Sequence, residues 1–449
     1  MKLVKSLLLG SAAGIAAVAG AQAADLPSRK AAPVEYVRVC SAYGAGFFFI
    51  PGTDTCLRVS GRVRAEYTVG DRYGEQFDAY GTRARGRLNI DARTATAYGP
   101  LRTFFRFELT NSSNFYGGTF GGNQGLIVPG TARTTATATA SLLDLAFIQF
   151  GPITAGRAQS FFDFYANDYG FSTLRTADSR LNLLAYTATF GSGFSATISL
   201  EDRVTGTGAR ENAAANRVTG AAIAVGGQDF PDVVASLRVD QGWGSAQLSG
   251  ALTQRSVISA LPGLVGGDEY GFAVQGGVKI NLPFLAAGDV FWLQAAYADG
   301  AVGYLGYGTS GIARLGTIAV PDIGITPAGN IKNTTGWSIV AAFRHFWTPQ
   351  LRSEIYGSYS QLELGSIAPL ATYGAGAIVR PLDPRETIVA GNLIWTPVSG
   401  LDIGVEVIYS HVDLRSRVGV VSNTGARLAG IGIKSDDAFA GRLRIQRDF

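Results

Sequence analysis

Arginine carries the chemistry open to this sequence. Arg62 and Arg64 stand two residues apart, as do Arg83, Arg85 and Arg87, and Arg106 follows Arg102 by four. Positions two apart share one face of a β-strand, so each run places its guanidinium groups on a common surface. The opposite face is apolar in every case: Leu57, Val59, Val63 and Tyr67; then Ala84, Leu88 and Ile90; then Leu101, Phe105 and Phe107. A guanidinium stays charged in every environment and offers a rigid planar fork. A ladder of them orients dipolar solutes and concentrates anions without making or breaking bonds. A counterpart of opposite sign lies in the run from Ser160 to Phe171, which carries Asp163 and Asp168 among Phe161, Phe162, Phe164, Tyr165 and Tyr169, with Asp178 shortly after. So many aromatic side chains must pack against something, and an inside wall would set these carboxylates across from the arginines; an outside lid or an interface loop is the alternative. Fixed charges of opposite sign across a narrow opening produce a transverse field, a common basis of pore selectivity. Arg62, Arg64, Arg83, Arg85, Arg87 and Arg106 are therefore expected on a basic wall, and Asp163, Asp168 and Asp178 on an acidic loop.

Other chemistries find little support. Only His345 and His411 are present, and no serine–carboxylate constellation accompanies either, so an enzyme is not expected. No nucleotide loop or metal cluster is visible, and no cofactor is expected. The formal net charge of +4 falls to about +2 without Lys2 and Lys5, which gives no reason to expect nucleic acid. Cys40 and Cys56 are the two cysteines. In an exported chain an even count suggests a disulfide. Metal binding is the alternative, but two thiols without a nearby histidine make an incomplete zinc set.

The elements that would position the arginines follow from the whole chain. Lys2 and Lys5, the apolar stretch Leu7 to Val18 and Ala21-Gln22-Ala23 have the layout of a secretory signal peptide over residues 1–23. Residues 24–56 form a lead-in containing the cysteine pair. No later stretch of about 18 apolar residues could form a spanning helix. Between 57 and 449 the sequence instead offers sixteen candidate strands, including 142–150 (the fourth), 289–298 (the eleventh), 401–412 and 437–449. Short turns such as Tyr98-Gly99-Pro100, Gly151-Pro152 and Gly191-Ser192-Gly193 alternate with long segments rich in Gly, Thr and Ala, such as 112–141 and 203–231. Aromatic residues, among them Tyr67, Phe346, Trp347, Trp395, Tyr409 and Phe449, collect near strand ends. Short and long connections in alternation, an even strand count and aromatic girdles are the marks of a membrane β-barrel. Closing the sheet in lipid pairs every backbone group and removes its edges. Sixteen strands leave an aqueous channel, and the arginine face then looks inward. Strands 4 and 11 alternate poorly, from a misplaced register or from contact with another subunit or loop.

Several segments also resemble one family: Glu35 to Cys40, Ala42 to Thr53, Thr55-Cys56-Leu57-Arg58 and Thr154 to Asp163. They are similar to the alphaproteobacterial general porins of the rhizobial and Brucella type, over essentially the whole chain. The resemblance implies a homotrimer of sixteen-stranded antiparallel transmembrane β-barrels (residues 57–449) and passive diffusion of small hydrophilic solutes. It implies an inward third loop at about 159–180 and a second loop, 112–141, that reaches over a neighbouring subunit. It also implies that Phe449 is read by the barrel-assembly machinery. Outer-membrane lipid and lipopolysaccharide are the expected surroundings, and a substrate-selective channel is the alternative function.

Overall fold

The structure is a computed structural model. It describes residues 38–71, 78–114, 137–203, 224–225, 227–258, 267–307, 320, 322–325, 331–364, 383–421 and 427–449. The expected signal peptide, most of the 112–141 segment and the greater part of the other long connections lie outside the described residues.

Sixteen strands form one closed antiparallel barrel. They are β1 (Thr55–Gly70), β2 (Tyr80–Thr96), β3 (Gly99–Asn114), β4 (Thr137–Phe150), β5 (Ile153–Gln159), β6 (Arg180–Gly191), β7 (Phe194–Glu201) and β8 (Asp232–Gln241). Continuing, they are β9 (Gly244–Ile258), β10 (Gly267–Asn281), β11 (Val290–Asp299), β12 (Thr335–Thr348), β13 (Leu351–Glu363), β14 (Arg385–Val398), β15 (Leu401–Val421) and β16 (Arg427–Asp448). Each pairs with its sequence neighbour. β16 returns to β1 in a register running from Arg62↔Asp448 to Gly70↔Ala440, so the sheet has no free edge. The closure is sealed by Phe449, whose amide and carbonyl exchange hydrogen bonds with Gly61. A side chain at Gly61 would meet the Phe449 ring at 2.5 Å, so the strand must present glycine there.

The two faces are reversed relative to a protein folded around an oily core. On β1, Tyr67 and Val69 are 54% and 60% exposed, while Glu66 and Thr68, each one residue earlier, are 1% and 3% exposed. The same holds around the ring. Leu184, Ile198, Leu237, Ile355, Val405 and Val407 face outward, and Glu108, Asp144, Glu201, Glu354 and Glu406 are buried within. Only a hydrocarbon surround makes such an exterior favourable. Tyr98, Phe194, Trp243 and Trp347 stand exposed at the end with the short turns, and Tyr67, Tyr80, Tyr270 and Phe439 toward the other.

The two irregular strands have separate explanations. β4 carries a bulge opposite Arg106 and Phe107, which shifts its alternation partway along. β11 alternates cleanly in space, with Leu293 and Tyr297 outward and Trp292, Gln294, Ala296 and Ala298 inward. Its pattern is blurred because inward Trp292 is itself apolar and packs on Phe164 and Tyr165 of the interior segment between β5 and β6.

At the short-turn end, the chain from Arg38 to Asp54 makes a small lobe joined to β1 by the Cys40–Cys56 disulfide. Cys40, Phe47 and Cys56 form its buried centre. Cys56 belongs to the inward-facing set of β1, and Arg93 of β2 lies over the rings of Tyr43 and Phe47. The lobe is thereby held against the inner face of the wall.

Candidate functional site: a basic wall facing an anchored loop

The basic wall is a lattice fixed by register. Across β16, β1, β2 and β3, three successive inward rows read Asp448, Arg62, Arg87, Glu108; then Gln446, Arg64, Arg85, Thr110; then Arg444, Glu66, Arg83, Ser112. In the first row Arg62 donates to Asp448 at 2.5 Å and Arg87 to Glu108 at 2.5 Å. In the third, Glu66 receives Arg83 at 2.6 Å and Arg444 at 2.8 Å. The middle row is different. Arg64 bonds to the neutral Gln446 amide at 2.9 Å and Arg85 to the Thr110 hydroxyl at 3.0 Å, with Glu108 of the adjoining row 3.4 Å from Arg85. Two guanidinium groups directly opposite each other repel, so this row is the focus of positive charge. Arg106, lower on the wall, donates to Asn89 at 2.9 Å and to Asp144 at 3.3 Å.

The other side of the opening is the segment from Ser160 to Ser179, between β5 and β6. Irregular backbone needs partners for its amides and carbonyls, and the inner face of the barrel supplies them strand by strand. The Ser160 hydroxyl and the Phe161 amide donate to Glu201 on β7. Gln247 on β9 and Gln275 on β10 donate to the Phe162 carbonyl, and the Tyr165 amide donates to Gln294 on β11. The Gly170 amide donates to Glu354 on β13 at 2.7 Å, and the Phe171 amide and Ser172 hydroxyl to Glu406 on β15, both at 2.7 Å. Arg442 and Arg444 on β16 then donate to the Phe171 carbonyl. The segment thus runs along the interior from β7 to β16 and comes to the basic wall at Phe171. On the return it is pinned by Arg175, buried and paired with Glu386 on β14 at 2.5 Å.

Behind it lies a second inward element that sequence reasoning did not foresee. A short 3-10 turn at Val302–Leu305, following β11, is fully buried. Phe162 packs edge-on against Tyr304 with ring centres 4.6 Å apart, and Arg175 lies 4.3 Å above the Tyr307 ring. This apolar packing fills the space between the segment and the β8–β13 wall.

The three acidic residues expected to line the opening are placed differently from one another. Asp163 is buried at the base of the segment, where it accepts from Gln159 at 2.5 Å and from the Ser179 amide at 2.7 Å. Asp178 pairs with Arg180 at 3.3 Å and accepts from Asn167 at 3.3 Å. Arg180 in turn meets Asp144, the partner of Arg106, so a chain of ion pairs joins the base of the segment to the basic wall. Asp168 alone of the three is exposed to the lumen. The surrounding wall limits its access to bulk water and raises its carboxyl above the usual carboxylate range, with Glu354 adding to the effect and Lys279 and Arg344 opposing it. Sequence reasoning also passed over Arg344, which lies 3.9 Å over the Tyr169 ring, and Arg444, at the same distance over Phe171. The inward register of Arg442 and Arg444 was legible on the last strand, but their place beside Arg64 and Glu66 depends on barrel closure.

A closed antiparallel barrel of sixteen strands, apolar outside and charged within, with an interior segment facing an arginine lattice, is the build of an outer-membrane pore. The chain belongs to the porin subfamily, which matches residues 25–441. It is 34% identical to porin Omp2b of Brucella suis, covering 99% of this chain and 100% of that protein. It is equally 34% identical to porin Omp2b of Brucella abortus (strain 2308), over 69% of this chain and 77% of that one. In fold it is similar to the outer membrane channel DcaP of Acinetobacter baumannii, with a TM-score of 0.58 at 17% identity, covering 89% of this chain and 99% of that one. This protein is a general porin of the bacterial outer membrane.

Proposed function

We propose that small hydrophilic solutes and ions cross this channel by passive diffusion through one opening, with selectivity set between the Arg64–Arg85 row and Asp168. The observation that carries the reading is the imbalance of the lattice. Arg62 and Arg87 face each other but each has a carboxylate on its other side, Arg83 is paired with Glu66 and Arg106 meets Asp144, whereas Arg64 and Arg85 face each other between the uncharged Gln446 and Thr110, with Glu108 reaching Arg85 only from the adjoining row at 3.4 Å. Salt in the lumen screens this charge over about 8–10 Å, so it acts at a narrow opening and fades in a wide one. A homotrimer, outer-membrane lipid with lipopolysaccharide around it, and recognition of Phe449 by the barrel-assembly machinery complete the proposal. Cleavage after Ala23 and delivery through the periplasm belong to it as well.

Reversal potential in a KCl gradient across planar bilayers tests the selectivity. Arg64→Gln with Arg85→Gln is expected to move the potential toward cations. Arg62→Gln should move it less, because Arg62 shares its charge with Asp448. An unchanged potential in the double variant would show that the row lies away from the limiting section.

A further inference from the structure

One inward surface lies toward the short-turn end from the constriction just described and shares only Arg106 with its wall. On β3 and β4, Phe104 and Phe147 are register partners and their rings stack, with centres 5.4 Å apart and planes 23° apart. Both belong to the inward-facing set and both stay partly exposed. Phe147 rests on Ala158, Leu183 and Ala185, while Phe104 continues the exposed part of the stack toward β2. Rings that only anchored a segment would be covered by it, as Phe162 and Phe164 are.

Guanidinium groups bracket the pair. Arg102 lies 5.1 Å from the Phe104 ring centre and 5.4 Å from that of Phe147, and Arg106 lies 5.5 Å from Phe104 on the next inward position of the same strand. Local carboxylates do not cancel this charge one for one. Asp91 is shared by Arg93 and Arg102, which leaves one positive charge in surplus there, while Arg106 and Arg180 are met by Asp144 and Asp178. The surface thus joins a flat apolar contact to guanidinium groups at two points on one strand, about 13–14 Å apart at their backbones by strand rise, with the surplus charge at Arg102.

We propose that Phe104, Phe147, Arg102 and Arg106 form a binding subsite for planar aromatic carboxylates between the constriction and the short-turn end. The ring of such a solute adds an aromatic contact to the Phe pair, and its carboxylate takes a charge-assisted bond from Arg102 or Arg106. A non-planar carboxylate of equal charge keeps only the second interaction. The proposal rests on the lumen being open to solutes. Failure of that premise shows separately, as absent KCl conductance.

The test is current block in planar bilayers with benzoate, cyclohexanecarboxylate and acetate at matched concentration, each scaled to the channel's own KCl conductance. Benzoate should give saturable block with an apparent affinity roughly fivefold above that of cyclohexanecarboxylate, the size of one aromatic contact. Phe104→Leu with Phe147→Leu should remove the difference, and Phe147→Tyr, which keeps a ring, should retain it. If the double variant fails to insert, the comparison of solutes on the unaltered channel still decides. Equal block by benzoate and cyclohexanecarboxylate overturns the proposal, as does benzoate block that survives loss of both rings.

Discussion

At the residue scale, two positions on the interior segment set what the opening can do. Gly170 has a φ of +79°, and a Cβ there would stand 2.0 Å from the Tyr356 ring. Its amide meets Glu354, and the next two residues meet Tyr356 and Glu406. Gly170→Ala is therefore expected to displace the turn that meets Arg442 and Arg444, and to broaden the distribution of single-channel conductance. A distribution as narrow as that of the unaltered channel would mean that Tyr356 moves aside instead. On the proposed reading, Asp168 sets the pH dependence of the opening. Its carboxyl is raised, so on acidification it loses its charge before an ordinary carboxylate does. The lumen then becomes more positive, and the reversal potential should shift toward anions as pH falls, beginning at a higher pH than it would for an ordinary carboxylate. Asp168→Asn should show that shift already at neutral pH and lose the early part of the titration. A titration of the same shape in the variant would assign the effect to another group.

At the element scale, the interior segment behaves as a structural member because its anchors are buried ion pairs and charge-assisted bonds to backbone amides. Removing one partner of a buried pair leaves an uncompensated charge and costs about 3–5 kcal/mol. Arg175→Met would leave Glu386 in that state. The segment should loosen, with added current noise and faster protease cleavage between Ser160 and Ser179; a quiet, resistant channel would contradict the anchoring role. The same element shows where sequence reading stops. All sixteen strands were legible because two-residue alternation survives wherever one side meets lipid. Their outer ends were not: β16 begins at Arg427 where the pattern suggested 437, and β15 runs to Val421 where it suggested 412. Beyond the bilayer the outer face has no need to be apolar, and the signal fades. The acidic loop was legible as an aromatic, inward-packing stretch, and its disulfide-tied lead-in as a cysteine pair. The turning of Asp163 into the loop base was not, because it depends on satisfying the Ser179 amide across sixteen residues of irregular chain. Arg444 was missed because Glu66 is brought close only by closure of the ring, and Arg344 because Tyr169 reaches it only through the path of the interior segment.

At the scale of the whole molecule, one seam decides whether the wall exists. The basic lattice spans β16, β1, β2 and β3, so the first and last strands must pair in a single register for Arg62 to meet Asp448 and for Arg444 to meet Glu66. A slip of one residue would turn every inward charge of the slipped strand toward lipid. Phe449 fixes the register by its two backbone bonds to Gly61 and by the seat of its ring over that glycine. Gly61→Leu should unseat the ring while leaving the inward charges chemically intact. The expected outcome is a barrel that loses its compact form at lower temperature, read from electrophoretic mobility of unheated against heated samples. The channels that do form should have a reversal potential displaced from that of the unaltered protein, because the lattice rows would no longer align across the seam. Thermal resistance and selectivity should thus fail together. A variant that lost resistance but kept its selectivity would place the register control elsewhere along the β1–β16 pairing, and one that lost neither would show that Phe449 is dispensable for closure.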